Sequence, residues 1–281
     1  MSSFIDVKNL IYEYKNVDSV RRAVNNLNIQ IQKGQFIVVL GHNGSGKSTF
    51  AKHLNAIFSP TSGTVIIDGL DTKDDNNIFE IRQKCGMVFQ NPDNQIVATV
   101  VEDDVAFGPE NMGVPSQEIR KRVDDALAVV RMSEFATKAP HLLSGGQKQK
   151  VAIAGIIAMK PDCIILDEST SMLDPRGRKE VMSTVKKLNK EENITLIHIT
   201  HFMEEAVDAD YIYVMEEGEI VLEGTPKEVF VNVEQLQNLG LDVPPMTLLC
   251  NELKKHDIQI SQDILTVEEM IDSLCQLKSQ I

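Results

Sequence analysis

The chain has 281 residues, 42% of them hydrophobic, and a formal net charge of −13. That length and apolar content suffice for one large domain with a full core plus a small appendage, and no apolar run approaches the ~18 residues that cross a bilayer. Phosphate backbones and anionic lipid both call for clustered Lys and Arg, so the negative balance argues against a generic nucleic-acid binder and against direct adhesion to an acidic membrane surface. The opening Met1-Ser2-Ser3-Phe4-Ile5-Asp6 lacks the basic-then-apolar pattern of a signal peptide, which predicts a cytoplasmic chain. Cys85, Cys163, Cys250 and Cys275 stand far apart with no C-x-x-C pair, so neither a zinc site nor a disulfide framework is expected.

Residues 4 to about 35 read as short strands, Ile5-Asp6-Val7 and then Leu27-Asn28-Ile29-Gln30-Ile31, forming a small β layer. The apolar strand Phe36-Ile37-Val38-Val39-Leu40 follows, and directly after it Gly41-His42-Asn43-Gly44-Ser45-Gly46-Lys47-Ser48-Thr49 matches the phosphate loop G-x-x-x-x-G-K-[ST] in full. The glycines let the backbone curl so that successive N–H groups point inward at a helix start, making an anion nest. Lys47 adds a mobile positive charge for the terminal phosphates, Ser48 a hydroxyl for magnesium, and His42 its backbone rather than its imidazole. These residues predict a nucleoside triphosphate site. Phe50, Leu54, Ile57 and Phe58 then mark a helix that stops near Ser59-Pro60, because the residue before proline is pushed out of helical angles.

Thr64-Val65-Ile66-Ile67-Asp68-Gly69 reads as a strand and turn. Thr72-Lys73-Asp74-Asp75 fits the guanine-reading [NT]-K-x-D formally but comes too soon after the phosphate loop, and is read as a solvated charged turn. From about Asn91 to Lys160 the pattern is helical, with Ile119, Val123, Leu127 and Val130 on one face and Ser116 placed to cap. Cys163-Ile164-Ile165-Leu166 and Ile194-Thr195-Leu196-Ile197-His198-Ile199 have the continuous apolar texture of strands covered on both faces, which implies a largely parallel sheet. Tyr211-Ile212-Tyr213-Val214-Met215, the Glu217-Gly218 turn and Ile220-Val221-Leu222 predict a closing hairpin. Beyond Pro244-Pro245, Thr266 and Glu269 form a capping-box pattern, and Val267, Met270, Ile271 and Leu274 make an apolar stripe. Two destinations stay open for that stripe: its own domain, or another subunit.

Leu143-Ser144-Gly145-Gly146-Gln147 and, soon after, Asp162-Cys163-Ile164-Ile165-Leu166-Asp167-Glu168 complete a set that resembles the ATP-binding-cassette ATPases over roughly residues 4 to 230. The resemblance implies an α/β fold of the P-loop NTPase, ABC-ATPase type. Its parts are a RecA-like, mainly parallel sheet core, an N-terminal antiparallel β layer, an inserted α-helical subdomain at about 91–160 and a C-terminal helical tail. The chain divides into an ATPase domain, 1–230, where the resemblance holds, and an extension, 231–281, beyond it, whose apolar stripe offers dimerisation as one role. By the same resemblance, Asp167 holds Mg2+ together with Ser48 and Gln90, and Glu168 is the general base toward the attacking water. Gln90, in Gly86-Met87-Val88-Phe89-Gln90-Asn91-Pro92, matches the glutamine loop, and His201 the switch histidine that contacts the γ-phosphate. Tyr14 sits where the family places an aromatic on adenine, with Tyr12 as competitor. Ser144, Gly145, Gly146 and Gln147, with Asp174 in Ser171-Met172-Leu173-Asp174, are expected to face ATP held by the opposite subunit of a head-to-tail pair. Ser169 departs from the proline that commonly follows the glutamate, while leaving both carboxylates in place.

Within the family, Asn91-Pro92-Asp93-Asn94-Gln95, Phe107-Gly108-Pro109-Glu110-Asn111-Met112-Gly113 and Gln147-Lys148-Gln149-Lys150-Val151-Ala152-Ile153-Ala154-Gly155 resemble the ATPase components of energy-coupling-factor transporters, importers of vitamins and transition-metal ions. The wording from Asp167 to Pro175 is similar to the first of the two paired ATPases. This implies Mg2+ with ATP, a second ABC ATPase subunit in a heterodimer, a transmembrane coupling protein and a membrane substrate-binding protein. Nucleic acid and direct membrane insertion are not expected, and the location implied is the cytoplasmic face of the cell membrane. The motor of another ABC importer or exporter, and a soluble cassette ATPase of DNA repair or translation, are the alternatives. Asp93, Glu102, Asp103 and Asp104 either offer an acidic groove to an arginine that the resemblance puts on the membrane partner, or merely solvate a loop.

Overall fold

The computed structural model describes residues 3–15, 20–256, 258, 260–261 and 263–279. β1 (Ile5–Lys15) and β2 (Val20–Ile31) pair antiparallel from Ile5 opposite Ile31 to Lys15 opposite Val20. They run longer than the sequence pattern suggested. Register shifts between Val7 and Glu13 interrupt the two-residue alternation on which the pattern depends, and Asn9 and Asn26 adopt left-handed angles there. The chain continues through β3 (Phe36–Leu40), α1 (Lys47–Leu54), β4 (Ser62–Ile67), β5 (Leu70–Asp71), α2 (Ile78–Lys84) and β6 (Cys85–Val88). The helical insertion holds α3 (Val101–Asn111), α4 (Ser116–Val129) and α5 (Gly145–Met159). Then come β7 (Cys163–Asp167), α6 (Pro175–Glu192), β8 (Thr195–Ile199), α7 (Met203–Ala206), β9 (Tyr211–Glu216) and β10 (Glu219–Gly224). The last segments are α8 (Pro226–Phe230), α9 (Val233–Asn238), α10 (Pro245–Lys255) and α11 (Val267–Ser279).

The first sheet is antiparallel, in the order β2-β1-β4-β5; the second has the order β10-β9-β3-β8-β7-β6 and is parallel except for the β9–β10 hairpin. Alternation along the buried central strand explains the layering. Phe36, Val38 and Leu40 enter one large core with the helical insertion, whereas Ile37 and Val39 enter a second core with Phe50 and Leu54 of α1 and the inner face of the antiparallel sheet. Because β3, β6, β7 and β8 run in one direction, the segments that follow them emerge at the same edge. Those segments carry the phosphate loop, Gln90, Glu168 and His201.

Local signals account for most helix boundaries. Ser144 caps α5 in a reciprocal capping box with Gln147, and Asp174 caps α6 by accepting the Gly177 N–H at 2.8 Å. Ser116 is not the cap anticipated for α4: it is the first helical residue, and Pro115, which cannot offer a side-chain acceptor, occupies the N-cap.

The large core does not stop at residue 230. It includes Val233, Leu236, Leu241 and Val243, and also Leu265 from the segment before α11. Cys250, Ile264 and Met270 form a separate small cluster. The predicted capping box is present, with Thr266 Oγ1 accepting from the Glu269 N–H at 3.2 Å and Glu269 Oε2 accepting from the Thr266 N–H at 3.3 Å. The stripe itself divides. Met270 is buried, whereas Val267, Ile271 and Leu274 are 54%, 54% and 43% exposed. Among the described residues no helix is long and apolar enough to cross a membrane.

Candidate nucleotide site

The phosphate loop follows β3 with glycine where nothing larger fits. At Gly41 (φ 153°) a Cβ would lie 2.4 Å from the Met215 carbonyl oxygen, and at Gly46 (φ 104°) it would lie 2.4 Å from that of Ala23. Lys47 is 4% exposed, and its Nζ donates to the carbonyls of Gly41 (2.7 Å) and His42 (2.8 Å). Burial lowers its pKa, while the charges of Glu168 and Asp167 oppose that shift. His42 turns its ring outward, with Nδ1 2.7 Å from the Asn43 carbonyl and Nε2 2.8 Å from Glu216 Oε2.

Two carboxylates enter from the end of β7. Asp167 is 4% exposed and accepts from Ser48 Oγ at 2.8 Å. Burial raises its pKa, Ser48 pulls it back, and neighbouring Glu168 raises it again. A divalent cation would relieve that crowding of charge, and hydroxyl plus carboxylate oxygens are the hard donors magnesium prefers, so the residues present fit Mg2+. Glu168 takes a left-handed backbone conformation (φ 48°), costly for a non-glycine residue, and its N–H donates to the Ile199 carbonyl at 3.0 Å. Its carboxylate accepts from Gln90 Nε2 at 2.9 Å and stands 3.9 Å from Lys47 Nζ.

A cleft of about 400 Å³ is lined by Tyr14, Arg21, Ala23, Asn43, Gly44, Gly46, Lys47, Ser48, Thr49, Gln90 and Glu168. The structure thus gathers adenine, phosphate, glutamine-loop and base candidates in one place. Tyr14 lines the cleft and pairs its hydroxyl with Thr49 Oγ1 at 3.1 Å. Tyr12 packs beneath, stacked on Phe58 with centroids 5.0 Å apart and edge-on to His53. Arg21 was missed by the sequence reading; its register opposite Tyr14 is the signal that places it. Gln149, also missed, ties the glutamine loop to the helical insertion by donating to the Phe89 carbonyl at 3.1 Å.

His201 does not line this cleft. It is exposed after β8, its ring 4.2 Å from that of Phe202. Ser144, Gly145, Gly146, Gln147 and Asp174 lie on another surface. A Cβ on Gly146 would meet Leu173 Cδ2 at 3.4 Å, and one on Gly145 would meet Met172 Sδ at 4.0 Å, so the start of α5 and the loop before α6 form one face. Met172, on this face, is 52% exposed, and Leu142, two residues before Ser144, is 68% exposed.

The acidic stretch requires a correction. Asp104 is 9% exposed and accepts the Val97 and Ala98 N–H groups at 2.7 and 2.9 Å. Glu102 pairs with Arg120 at 2.7 Å, and Asp93 with Lys148 at 2.6 Å. Of the four, Asp103 alone is exposed and outside any ion pair, so they make no open acidic groove. Three acids in the first turn of α3 also suit the positive end of the helix dipole.

The phosphate loop, the Ser48–Asp167 pair and Glu168 stand on the sheet expected for a cassette ATPase, and the family comparison decides which one. A family model described as "ABC transporter" matches residues 24–171, and one described as "Energy-coupling factor transporter EcfA1 C-terminal domain" matches residues 249–280. The chain is 60% identical over 277 residues to the energy-coupling factor transporter ATP-binding protein EcfA1 of Clostridium novyi (strain NT), covering 98% of this chain and 99% of that one. It belongs to the energy-coupling factor transporter ATP-binding protein family. The EcfA1 protein of Clostridioides difficile (strain 630) is 59% identical, covering 99% of this chain and all of that one (100%). Among solved structures, cbiO1 from Clostridium perfringens, part of the ABC transporter complex cbiONQ, superposes with a TM-score of 0.74 at 38% identity, over 89% of this chain and 100% of that chain. The ATP-binding cassette MJ0796, in a dimeric post-hydrolysis state bound to ADP and Pi, gives 0.74 at 33% identity, over 79% and 98%. This member of the family is an ATP-binding, ATP-hydrolysing transport subunit that works in a complex with other subunits.

Proposed function

We propose that the chain powers an energy-coupling-factor importer of a vitamin or transition-metal ion, as one half of a head-to-tail ATPase pair beneath a transmembrane coupling protein. One observation carries this reading: the cleft and the Ser144–Gln147 and Asp174 face occupy separate surfaces of one chain, so a second cassette is needed to bring the two halves of a site together. Exposed Met172 gives that face apolar area for pairing.

In this reading the Gly41 to Thr49 loop and Lys47 grip the phosphates, and Tyr14 stacks on adenine. Ser48, Asp167 and Gln90 hold Mg2+, which when bound neutralises charge on the transferring phosphoryl group. Glu168 takes the proton of the attacking water, with Gln90 orienting its carboxylate. His201 approaches the γ-phosphate when the pair closes, and Ser144, Gly145, Gly146, Gln147 and Asp174 serve the partner's nucleotide. The ATPase domain is 1–230, its core completed by Val233, Leu236, Leu241 and Val243 from the start of the extension 231–281, in which Cys250, Ile264 and Met270 form a separate small cluster. The partners are a second, different ATPase, the coupling protein and a membrane substrate-binding protein, at the cytoplasmic face of the membrane.

Co-purification of the tagged chain from its own cells tests the assembly. A second cassette ATPase together with a hydrophobic coupling protein is the expected result; recovery with ribosomes or nucleic acid instead would remove the transport reading.

A further inference from the structure

Glu205, on α7, is a carboxylate that no motif singles out, and it is 6% exposed. Its Oε2 accepts from Thr170 Oγ1 at 3.2 Å and from Thr200 Oγ1 at 2.5 Å, and lies 2.7 Å from His198 Nε2. Arg178 Nε stands 3.9 Å from its other oxygen. Thr170 comes two residues after Glu168, Thr200 immediately before His201, and Arg178 in the first turn of the helix that Asp174 caps. Three segments that carry proposed site residues therefore converge on one charge.

Further contacts bind the same segments together. The Leu173 N–H donates to the Thr170 carbonyl at 3.1 Å, and the Phe202 N–H to Thr200 Oγ1 at 3.0 Å. The Arg178 guanidinium lies 3.3 Å over the Phe202 ring, which in turn faces His201. Burial alone would raise the pKa of Glu205, but His198, and then Thr200 and Thr170, hold it below the usual carboxylate range. Packing alone does not call for such a group, because apolar residues of similar size stabilise an interior as well or better than a buried ion pair. Glu205 Oε1, Arg178 Nε and His198 Nδ1 are also left without hydrogen bonds. A movement of ~1 Å would bring Arg178 to bonding distance of Oε1.

We propose that Glu205 is a positioning residue for ATP hydrolysis, its carboxylate holding the segments that bear Glu168, His201 and Asp174 in mutual register. The inference rests on the roles given to those three residues above. Misplacing catalytic groups by about an ångström can cost on the order of 100-fold in rate while leaving substrate affinity alone.

The test uses the assembled transporter complex, with kcat, KM, ATP affinity and melting temperature measured for Glu205→Gln, Glu205→Ala, Thr170→Val and Thr200→Val. Glutamine fills the same space but replaces one acceptor oxygen with a donor, so kcat should fall about ten-fold or more while ATP affinity stays within about two-fold. The threonine variants guard against a misfolded Glu205 variant. Each should lower kcat by a smaller factor, and their double variant should be non-additive in kcat because both lean on one carboxylate. Parent-like kcat in the glutamine and threonine variants, or an affinity loss that matches the kcat loss, overturns the proposal and leaves Glu205 a stabilising core residue. Glu168→Gln is run beside them. Turnover lost in Glu168→Gln but kept in Glu205→Gln overturns this inference alone, whereas turnover kept in Glu168→Gln overturns the assignment beneath it.

Discussion

Around the nucleotide cleft, segments far apart in the chain are fastened by short polar contacts above two broad apolar cores, whereas α10 and α11 rest on a cluster of Cys250, Ile264 and Met270. In the first region charged groups at the phosphates are held in place: Lys47 by two carbonyls of its own loop, Asp167 by Ser48, Glu168 by Gln90. In the second, apolar side chains remain at the surface of α11. A phosphate site has to be preorganised before the nucleotide arrives, because its charges act only when held in place.

The comparison breaks most readily at the base. Glu168→Gln should lower steady-state hydrolysis at least about 100-fold, the usual worth of a positioned base, and leave ATP binding intact. Phosphate-release kinetics beside a binding isotherm measure both, and turnover near that of the parent would remove Glu168 from its role. Lys47→Ala should weaken nucleotide binding by about ten- to a hundred-fold, since it deletes charge-assisted contacts worth roughly 1.5–3 kcal/mol. Equal affinity in titration calorimetry would count against the loop.

Stability sharpens the contrast. Phe230→Ala empties a fully buried site in the large core and should cost ~3–5 kcal/mol in global unfolding. Met270→Ala should loosen the tail while the main transition stays in place, as local opening is cheaper than global. Equal shifts of one shared transition, seen by calorimetry, would mean that the tail and the core unfold together.

Acid tests the core behind the phosphate loop. His53 is fully buried with Nδ1 2.7 Å from the Thr49 carbonyl, and burial lowers its pKa from 6.5 to about 4. The unfolded chain therefore binds a proton first, so stability is full above pH 6.5 and declines as pH falls toward 4. At ~1.4 kcal/mol per unit this amounts to about 3 kcal/mol. Urea unfolding of His53→Phe at pH 7 and pH 4.5 should show a flatter decline than the parent; parallel declines would place the acid sensitivity elsewhere.

The smallest effect on stability belongs to the exposed stripe. Replacing Val267 and Ile271 with serine should change stability by no more than ~0.5 kcal/mol per site. It should nevertheless weaken subunit pairing in sedimentation, and unchanged pairing would assign α11 to its own domain alone.

What the sequence determined by itself was everything whose geometry is set within a few residues. A phosphate loop is local: Gly41, Gly44, Gly46, Lys47 and Ser48 make their nest from consecutive backbone, and the Ser144, Asp174 and Thr266 caps reach only three residues ahead. Runs such as residues 163–167 and 195–199 likewise announce strands covered on both sides, and hence the parallel sheet. The tertiary structure alone decided what depends on partners distant in the chain. It chose Tyr14 over Tyr12 for the cleft, added Arg21 from the neighbouring strand, and spent Asp104 on two loop N–H groups and Glu102 on Arg120 rather than on an open groove. It also carried the core past Phe230 to Val243 and Leu265, and drew Thr170, Arg178, His198 and Thr200 around Glu205. An acidic side chain reads the same in sequence whether it faces water or a buried hydroxyl. Its environment is a property of packing between elements, and no local pattern encodes that.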